Sequence, residues 1–165
     1  MAILYILCGP AGCGKSTWAR NFIFAQDRKS NDVRYVSRDD LRFSMLKDDE
    51  DYFAHENATF RKFIGTITET LIDGFDVIAD ATHLNMYARK KLTDAIDKRY
   101  SEYDIIYVWF LADADTCVAQ NRNRTGRRFV PEHVIRDMCR KFEAPSIAED
   151  PRALMVMKVK GENNE

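Results

Sequence analysis

The chain has 165 residues, 45% apolar and 31% charged, a globular composition sized for one ordinary domain with no room for a second large one. A net charge of −1 excludes holding nucleic acid by bulk charge, so any such binding must come from a local basic patch. Cys8, Cys13, Cys117 and Cys139 form no CxxC pair and have no histidine at zinc spacing, and they read as reduced thiols.

In chain order, "AILYILC" is a continuous apolar run without alternation, which predicts a strand covered on both faces, as in a parallel sheet. The start has no basic leader and runs straight into a glycine loop, so it reads as neither signal peptide nor membrane span, and a cytoplasmic protein is expected. A helix from Lys15 to about Ala25 and a short strand, "VRYVS", follow. Phe60, Phe63, Ile64, Ile67 and Leu71 then recur at helical spacing until Asp73-Gly74 stops them, and "FDVIAD" is the third strand. A helix over about Met86 to Tyr100 leads to "DIIYVWFL", the strongest strand signal in the chain. Helices at about Ala114 to Arg122 and Pro131 to Phe142 come next, the second with Pro131 suited to the first helical position, and "ALMVMKV" closes as a fifth strand. Strands alternating with helices predict an α/β fold with a mainly parallel five-stranded sheet. Ligands in such sheets bind outside the carboxyl ends of the strands, so Gly9, Ser37, Asp80 and Ala112 should share one rim.

"GPAGCGKS", Gly9 to Ser16, matches G-x-x-x-x-G-K-[ST] between a buried strand and a helix, which is the setting that motif requires. Gly9, Gly12 and Gly14 let the backbone, with Cys13, curl its N–H groups toward phosphate oxygens at the positive end of the helix that Thr17 continues. Lys15 should reach the β- and γ-phosphates of ATP, and Ser16 should ligate Mg²⁺. Asp80, at the end of a buried strand, supplies a second metal-side carboxylate. The residues after it, Ala81-Thr82-His83, include no water-activating Glu, and "FLADAD" lacks the N-K-x-D signature of guanine readers. Both absences favour phosphoryl transfer to an acceptor over a motor or switch.

Phosphorylating a hydroxyl calls for a nearby carboxylate, because the oxygen becomes nucleophilic as its proton leaves. "SRDDLR", Ser37 to Arg42, follows the second strand on that rim. Any helix start might read so, with Ser37 as cap and acids in the first turn. On this rim, however, Asp39 or Asp40 can also serve as base, and Arg38 and Arg42, four residues apart, can hold an anionic acceptor such as a nucleotide phosphate. "NRNRTGRRF" carries Arg122, Arg124, Arg127 and Arg128 with no acid between Asn121 and Phe129. It reads as a lid at about residues 121–130, closing over ATP with arginines on the transferring group; a solvated basic loop is the bland alternative. "KDDEDYFAHE" reads as a solvated acidic connection, His55 and His83 as structural or surface residues, and Trp18 as packing.

Together, "GPAGCGKSTWAR", "SRDDLR", "DATHLN" and "NRNRTGRRFVPEHVI" resemble the kinase domain of phage-type polynucleotide 5′-hydroxyl kinases over nearly the whole chain. The phosphate loop alone is shared by a vast superfamily, and its combination with R-D-D-x-x-R and an arginine lid ending in Val-Pro is much more specific. The resemblance implies a single P-loop kinase domain over residues 1–165, using ATP and Mg²⁺ to phosphorylate the 5′-hydroxyl end of DNA or RNA. It places the general base at Asp39, has Arg38 and Arg42 order the acceptor site, with Arg42 on the phosphate next to the acceptor nucleoside, and puts Thr82 on the acceptor side and Val130 against the acceptor base. Lys15 with Arg124 and Arg127 would stabilise the transition state and Arg122 would help hold the nucleotide, although the lid spacing departs from the family pattern and all four lid arginines compete for the γ-phosphate. Ala81 separates Asp80 from Thr82, where the family has an adjacent Asp-Thr, and no phosphatase or ligase module follows, which implies a separate protein for those steps. A small-molecule kinase of the same fold and a nucleotide-binding interaction module are the competing readings.

Overall fold

The structure, a computed structural model, describes residues 1–26 and 32–160. Five strands, β1 (Ala2–Cys8), β2 (Val33–Ser37), β3 (Asp76–Asp80), β4 (Tyr103–Leu111) and β5 (Ala153–Lys160), pair in parallel in the order β2-β3-β1-β4-β5. They alternate with helices α1 (Lys15–Ala25), α2 (Arg38–Met45), α3 (Glu56–Ile72), α4 (Met86–Asp97), α5 (Ala114–Asn121) and α6 (Glu132–Lys141). No helix of the described residues is long and apolar enough to cross a membrane.

The unbroken apolar run of β1 is explained by its central place. Leu4, Ile6 and Cys8 face a core shared with Phe63, Ile67 and Leu71 of α3 and Leu92 and Ile96 of α4. Tyr5 and Leu7 face a second core built with Ala19, Cys117, Val118 and Ile135. Leu4, Ile6 and Leu7 are fully buried, and each such side chain stabilises the fold by about 1.5–3 kcal/mol. Strand β1 lies between β3 and β4, while the chain that leaves it runs through α1 to the edge strand β2, so the carboxyl ends of β1 and β3 border the crevice where ligands of such sheets bind. Pairing of Ser37 with Asp80 and of Cys8 with Trp109 sets the ends of β2, β3, β1 and β4 on one rim, as the sequence predicts.

Element boundaries differ from expectation by a few residues. Helix α4 ends at Asp97, three residues before Tyr100. Pro131 precedes α6 instead of beginning it, because its ψ of 141° is extended. As the cap it gives up nothing by lacking an N–H.

The two rim loops are sewn together through the segment after β3. Gly9 N–H donates to the Thr82 carbonyl (3.0 Å), and the His83 ring nitrogen Nδ1 to the Leu7 carbonyl (2.7 Å). His83 has a φ of +43°, an unusual conformation for a non-glycine residue, and its own carbonyl accepts from Arg89 (2.9 Å). Arg89, only 1% exposed, is gripped on its other edge by Glu149 through two bonds of 2.7 Å.

Burial of His83, opposed in part by its bond to Leu7, pulls the imidazole pKa down to about 4 from the usual 6.5. Between those values the unfolded chain binds a proton that the native state refuses, so stability falls as pH drops through that window, by up to about 3 kcal/mol. Urea unfolding at pH 7 and pH 4.5 should show this loss. His83→Asn, which tolerates the backbone conformation and keeps a donor, should remove most of it; an unchanged acid slope would assign the loss elsewhere.

Candidate active site

Gly9–Ser16 wraps the end of β1 and the start of α1. Gly12 has a φ of +82° and lies so close to α5 that an added Cβ would sit 2.4 Å from the Cys117 carbonyl oxygen. Gly14, at φ +94°, caps α1 in the left-handed conformation. These positions therefore require glycine, and the loop they permit leads into a helix N-terminus, the geometry that receives phosphate. Lys15 is 8% exposed, and its Nζ donates to the carbonyls of Gly9 (3.0 Å) and Pro10 (2.8 Å), which holds the ammonium over the loop. Thr17 is the third residue of α1, and Cys13, a loop residue, is buried with its thiol pKa pushed up by that burial.

Asp80 joins three elements at the metal-side position. Its Oδ2 accepts from Ser16 Oγ (2.9 Å) and from the Tyr35 hydroxyl (2.5 Å), while Oδ1 makes no hydrogen bond among the described residues. Burial, and then the charge of Asp80, raises the Tyr35 phenol above its usual range, so it stays a donor. Hydroxyl and carboxylate side by side at the mouth of a phosphate loop suit Mg²⁺, which takes few protein ligands and keeps phosphate and water oxygens for the rest. Among the described residues no cluster of three or more His, Cys, Asp or Glu exists that would build a metal cage without a nucleotide.

"SRDDLR" is indeed a helix start: Ser37 Oγ accepts from Asp40 N–H (3.2 Å) and the two acids occupy the first turn of α2. It is also the centre of a charge network. Asp39 Oδ1 accepts from Arg42 (2.6 Å) and from the Tyr52 hydroxyl (2.5 Å), while Oδ2 has no hydrogen-bond partner among the described residues and the side chain is 48% exposed. Arg42 is 5% exposed, stacks on Tyr52 (4.3 Å) and bonds Asp39, Tyr52 and Glu56. Nη1 and Nη2 of its guanidinium bond the chain itself, while Nε is buried with no hydrogen-bond partner among the described residues. Arg38 also pairs with Glu56, through one nitrogen, and lies over Phe60 (5.2 Å). Burial pushes the Glu56 carboxyl up, but hydrogen bonding to Arg42 and the charge of Arg38 outweigh it and hold it below the usual range.

The reading of residues 47–56 as a solvated connection needs correction, since Tyr52 and Glu56 are the inner members of this network. The sequence signal was an aromatic residue inside an acidic run, followed four residues later by the acid that opens a helix.

The lid, residues 121–130, is clasped at its base. The Asn121 side chain both accepts from Val130 N–H (3.0 Å) and donates to the Val130 carbonyl (2.7 Å). The Val130 side chain, partly buried, packs against the core at the α1 side of the sheet. From this base the lid reaches across to the acceptor side: Arg128 pairs with Asp40 (2.7 Å), and Arg127 donates to the carbonyls of Lys47 (2.7 Å) and Glu50 (3.1 Å). Arg127 is thus an anchor in the structure, and Asp40 is the residue that receives the lid. Arg122 and Arg124 make no side-chain hydrogen bond or ion pair among the described residues.

Two cavities flank the phosphate loop. One of about 300 Å³ lies against α1 and α5, lined by Gly14, Thr17, Trp18, Gln120 and Asn123. Trp18 packs as expected, stacked on Phe22 (4.8 Å), and also walls this cavity. The other, about 220 Å³, lies between α3 and α4 and is lined by Arg38, Phe60, Thr82, Asn85, Tyr87 and Lys91. Arg38 and Thr82, both expected on the acceptor side, are thereby brought together.

Comparison with known proteins identifies the family and the fold. The chain is 28% identical over 145 residues to the L-seryl-tRNA(Sec) kinase of Methanococcus maripaludis, covering 87% of this chain and 53% of that protein, so it spans about half the length of this curated relative. A chain in the structure of the Pnkp1/Rnl/Hen1 RNA repair complex superposes with a TM-score of 0.71 at 25% identity, over 85% of this chain and 43% of that one. A gluconokinase from Sinorhizobium meliloti shares the fold alone, with a TM-score of 0.56 at 18% identity over 96% of this chain and 82% of that one. The AAA domain family AAA_33 matches residues 4–145, and the chain belongs to it, with the α/β fold of P-loop kinases.

Proposed function

We propose that this chain is an ATP- and Mg²⁺-dependent kinase that transfers the γ-phosphoryl group to the 5′-hydroxyl end of a nucleic acid. The observation that carries the reading is Asp39: a half-exposed carboxylate with one oxygen fixed by Arg42 and Tyr52 and the other open, on the rim that bears the phosphate loop. Two relatives at or above 25% identity are named for RNA, one a kinase of seryl-tRNA and one from an RNA repair complex, which makes RNA the first acceptor to test and DNA the second.

In this reading the amides of Gly12–Ser16 and the Lys15 ammonium hold the phosphates, and the base of ATP lies in the cavity beside Trp18. Ser16 and Asp80 would hold Mg²⁺, which supplies neutralisation of phosphate charge. Asp39 Oδ2 accepts the proton of the acceptor hydroxyl as its oxygen bonds the γ-phosphorus and the bond to ADP breaks. Arg124, with Arg122, faces the transferring group from the lid, while Arg127 and Arg128 hold the lid in place. The second reading, a small-molecule kinase, is favoured by the net charge of −1 and by the fold shared with a gluconokinase.

The test is incubation with γ-labelled ATP and Mg²⁺ beside a 5′-hydroxyl RNA oligonucleotide, its DNA counterpart, a mononucleoside, gluconate and no acceptor. Label on an oligonucleotide is expected; label on a small molecule alone, or phosphate release without any labelled acceptor, overturns the proposal. Asp39→Asn should keep ATP binding and lose transfer by about 10²-fold or more. Tyr52→Phe, which keeps the ring and removes only the hydroxyl on Asp39, should slow transfer about tenfold, since a hydrogen bond to a charged group is worth roughly 1.5–3 kcal/mol. Wild-type turnover in that variant would show that Arg42 alone positions the base.

A further inference from the structure

The cavity between α3 and α4 has features that a hydroxyl acceptor alone does not require. Phe60 forms one wall, and two cations lie over its ring, the Arg38 guanidinium at 5.2 Å and the Lys91 ammonium at 4.9 Å. Lys91 forms no ion pair or hydrogen bond among the described residues, although Lys90 beside it is paired with Asp94. A lysine kept near an aromatic wall without a carboxylate is a positive charge available to a ligand. At the mouth stands Tyr87, 75% exposed, with no ring partner among the described residues.

The cavity is continuous with the site. Thr82 lines it, and the Thr82 carbonyl binds Gly9 of the phosphate loop. Arg38, which also lines it, is the immediate neighbour of Asp39. A ligand that begins at Asp39 and continues into this cavity meets two cations about one aromatic wall and an exposed aromatic ring. Phosphates and flat bases together match that set of surfaces, whereas a sugar acid would leave two rings and a lysine without use.

Resting on the reading of the chain as a nucleic-acid kinase, we propose that this cavity is a stacking subsite for the base of the nucleotide that follows the acceptor nucleotide. Tyr87 supplies the stacking face, Phe60 the back wall, and Arg38 and Lys91 take the phosphates on either side. The subsite explains how a chain of net charge −1 can prefer a polynucleotide end to a free nucleoside.

The experiment compares a 5′-hydroxyl trinucleotide with the same molecule carrying an abasic second position, in the wild type, Tyr87→Ala and Lys91→Gln. In the wild type the abasic change should raise the acceptor KM about tenfold, which is about 1.4 kcal/mol. In Tyr87→Ala the KM for the intact trinucleotide should already be raised, and the abasic change should add little, because the two remove one contact. Lys91→Gln should raise KM for both acceptors alike. Equal KM for intact and abasic acceptors in the wild type, or fully additive effects in Tyr87→Ala, overturns the subsite while leaving the kinase reading intact. Absence of label on every oligonucleotide, with label on a small molecule, overturns both.

Discussion

The hydrogen bond from Gly9 N–H to the Thr82 carbonyl is the joint on which the site depends. It ties the first residue of the phosphate loop to the segment that leaves β3, and with it the two substrates' halves of the rim. A single backbone bond in a loop is worth only about 0.5–1.5 kcal/mol. This one is protected by its surroundings: His83 bonds back to Leu7 of β1, Arg89 holds the His83 carbonyl, and Glu149 holds Arg89. His83 sits in a positive-φ conformation that burial and three neighbours over-determine. The result is a phosphate loop whose distance from Thr82 is fixed by the sheet, not by the loop's own flexibility.

A second constraint acts at α2. Glu56, the first residue of α3, offers one carboxylate oxygen to Arg38 and the other to Arg42. The four-residue spacing places both guanidiniums on the same side of α2, where one acid can serve both. Enclosing Arg42 costs desolvation, and Tyr52, Asp39 and Glu56 together offset part of it by occupying Nη1 and Nη2, while Nε stays without a partner among the described residues. What this arrangement achieves is aim: Asp39 Oδ1 is tied down on both sides while Oδ2 stays open. An arginine that looks like a ligand in the sequence is, in the fold, the support of a carboxylate.

How much of this was legible follows from range. The phosphate loop, its strand and its helix are local, so Gly12, Gly14, Lys15 and Ser16 could be read from eight consecutive residues. The parallel sheet was legible because β1 and β4 are apolar on both faces. Tyr52 and Glu56 were not, because their partners lie 13 and 14 residues away across a turn whose closure no periodicity records. The link from Arg128 to Asp40 spans 88 residues, and that from Arg89 to Glu149 spans 60. The clasp of the Asn121 side chain on the Val130 backbone, nine residues on, left no signal in the sequence either. Motifs locate residues that touch a common ligand; residues that hold those residues are chosen by tertiary closure.

The same distinction resolves the puzzle of charge. A chain of net charge −1 has no long-range pull on a polyanion, and at physiological salt charges beyond about 8 Å are largely screened in any case. What matters is which cations lack a carboxylate. Lys15 and Arg127 are held by backbone carbonyls, which orient a cation without cancelling it, and Arg122, Arg124 and Lys91 have no ion-pair partner among the described residues. Arg42, Arg89 and Arg128, by contrast, are neutralised by Glu56, Glu149 and Asp40 and serve as structure, while Arg38 shares Glu56 through one nitrogen and also lines the α3–α4 cavity. Positive charge is therefore left uncompensated at the phosphate loop, in the lid and at the α3–α4 cavity, the three places a donor phosphate, a transferring phosphoryl group and a following strand would occupy. Near-neutral totals and a cationic site are compatible because carbonyls, not acids, position the cations that have to remain free.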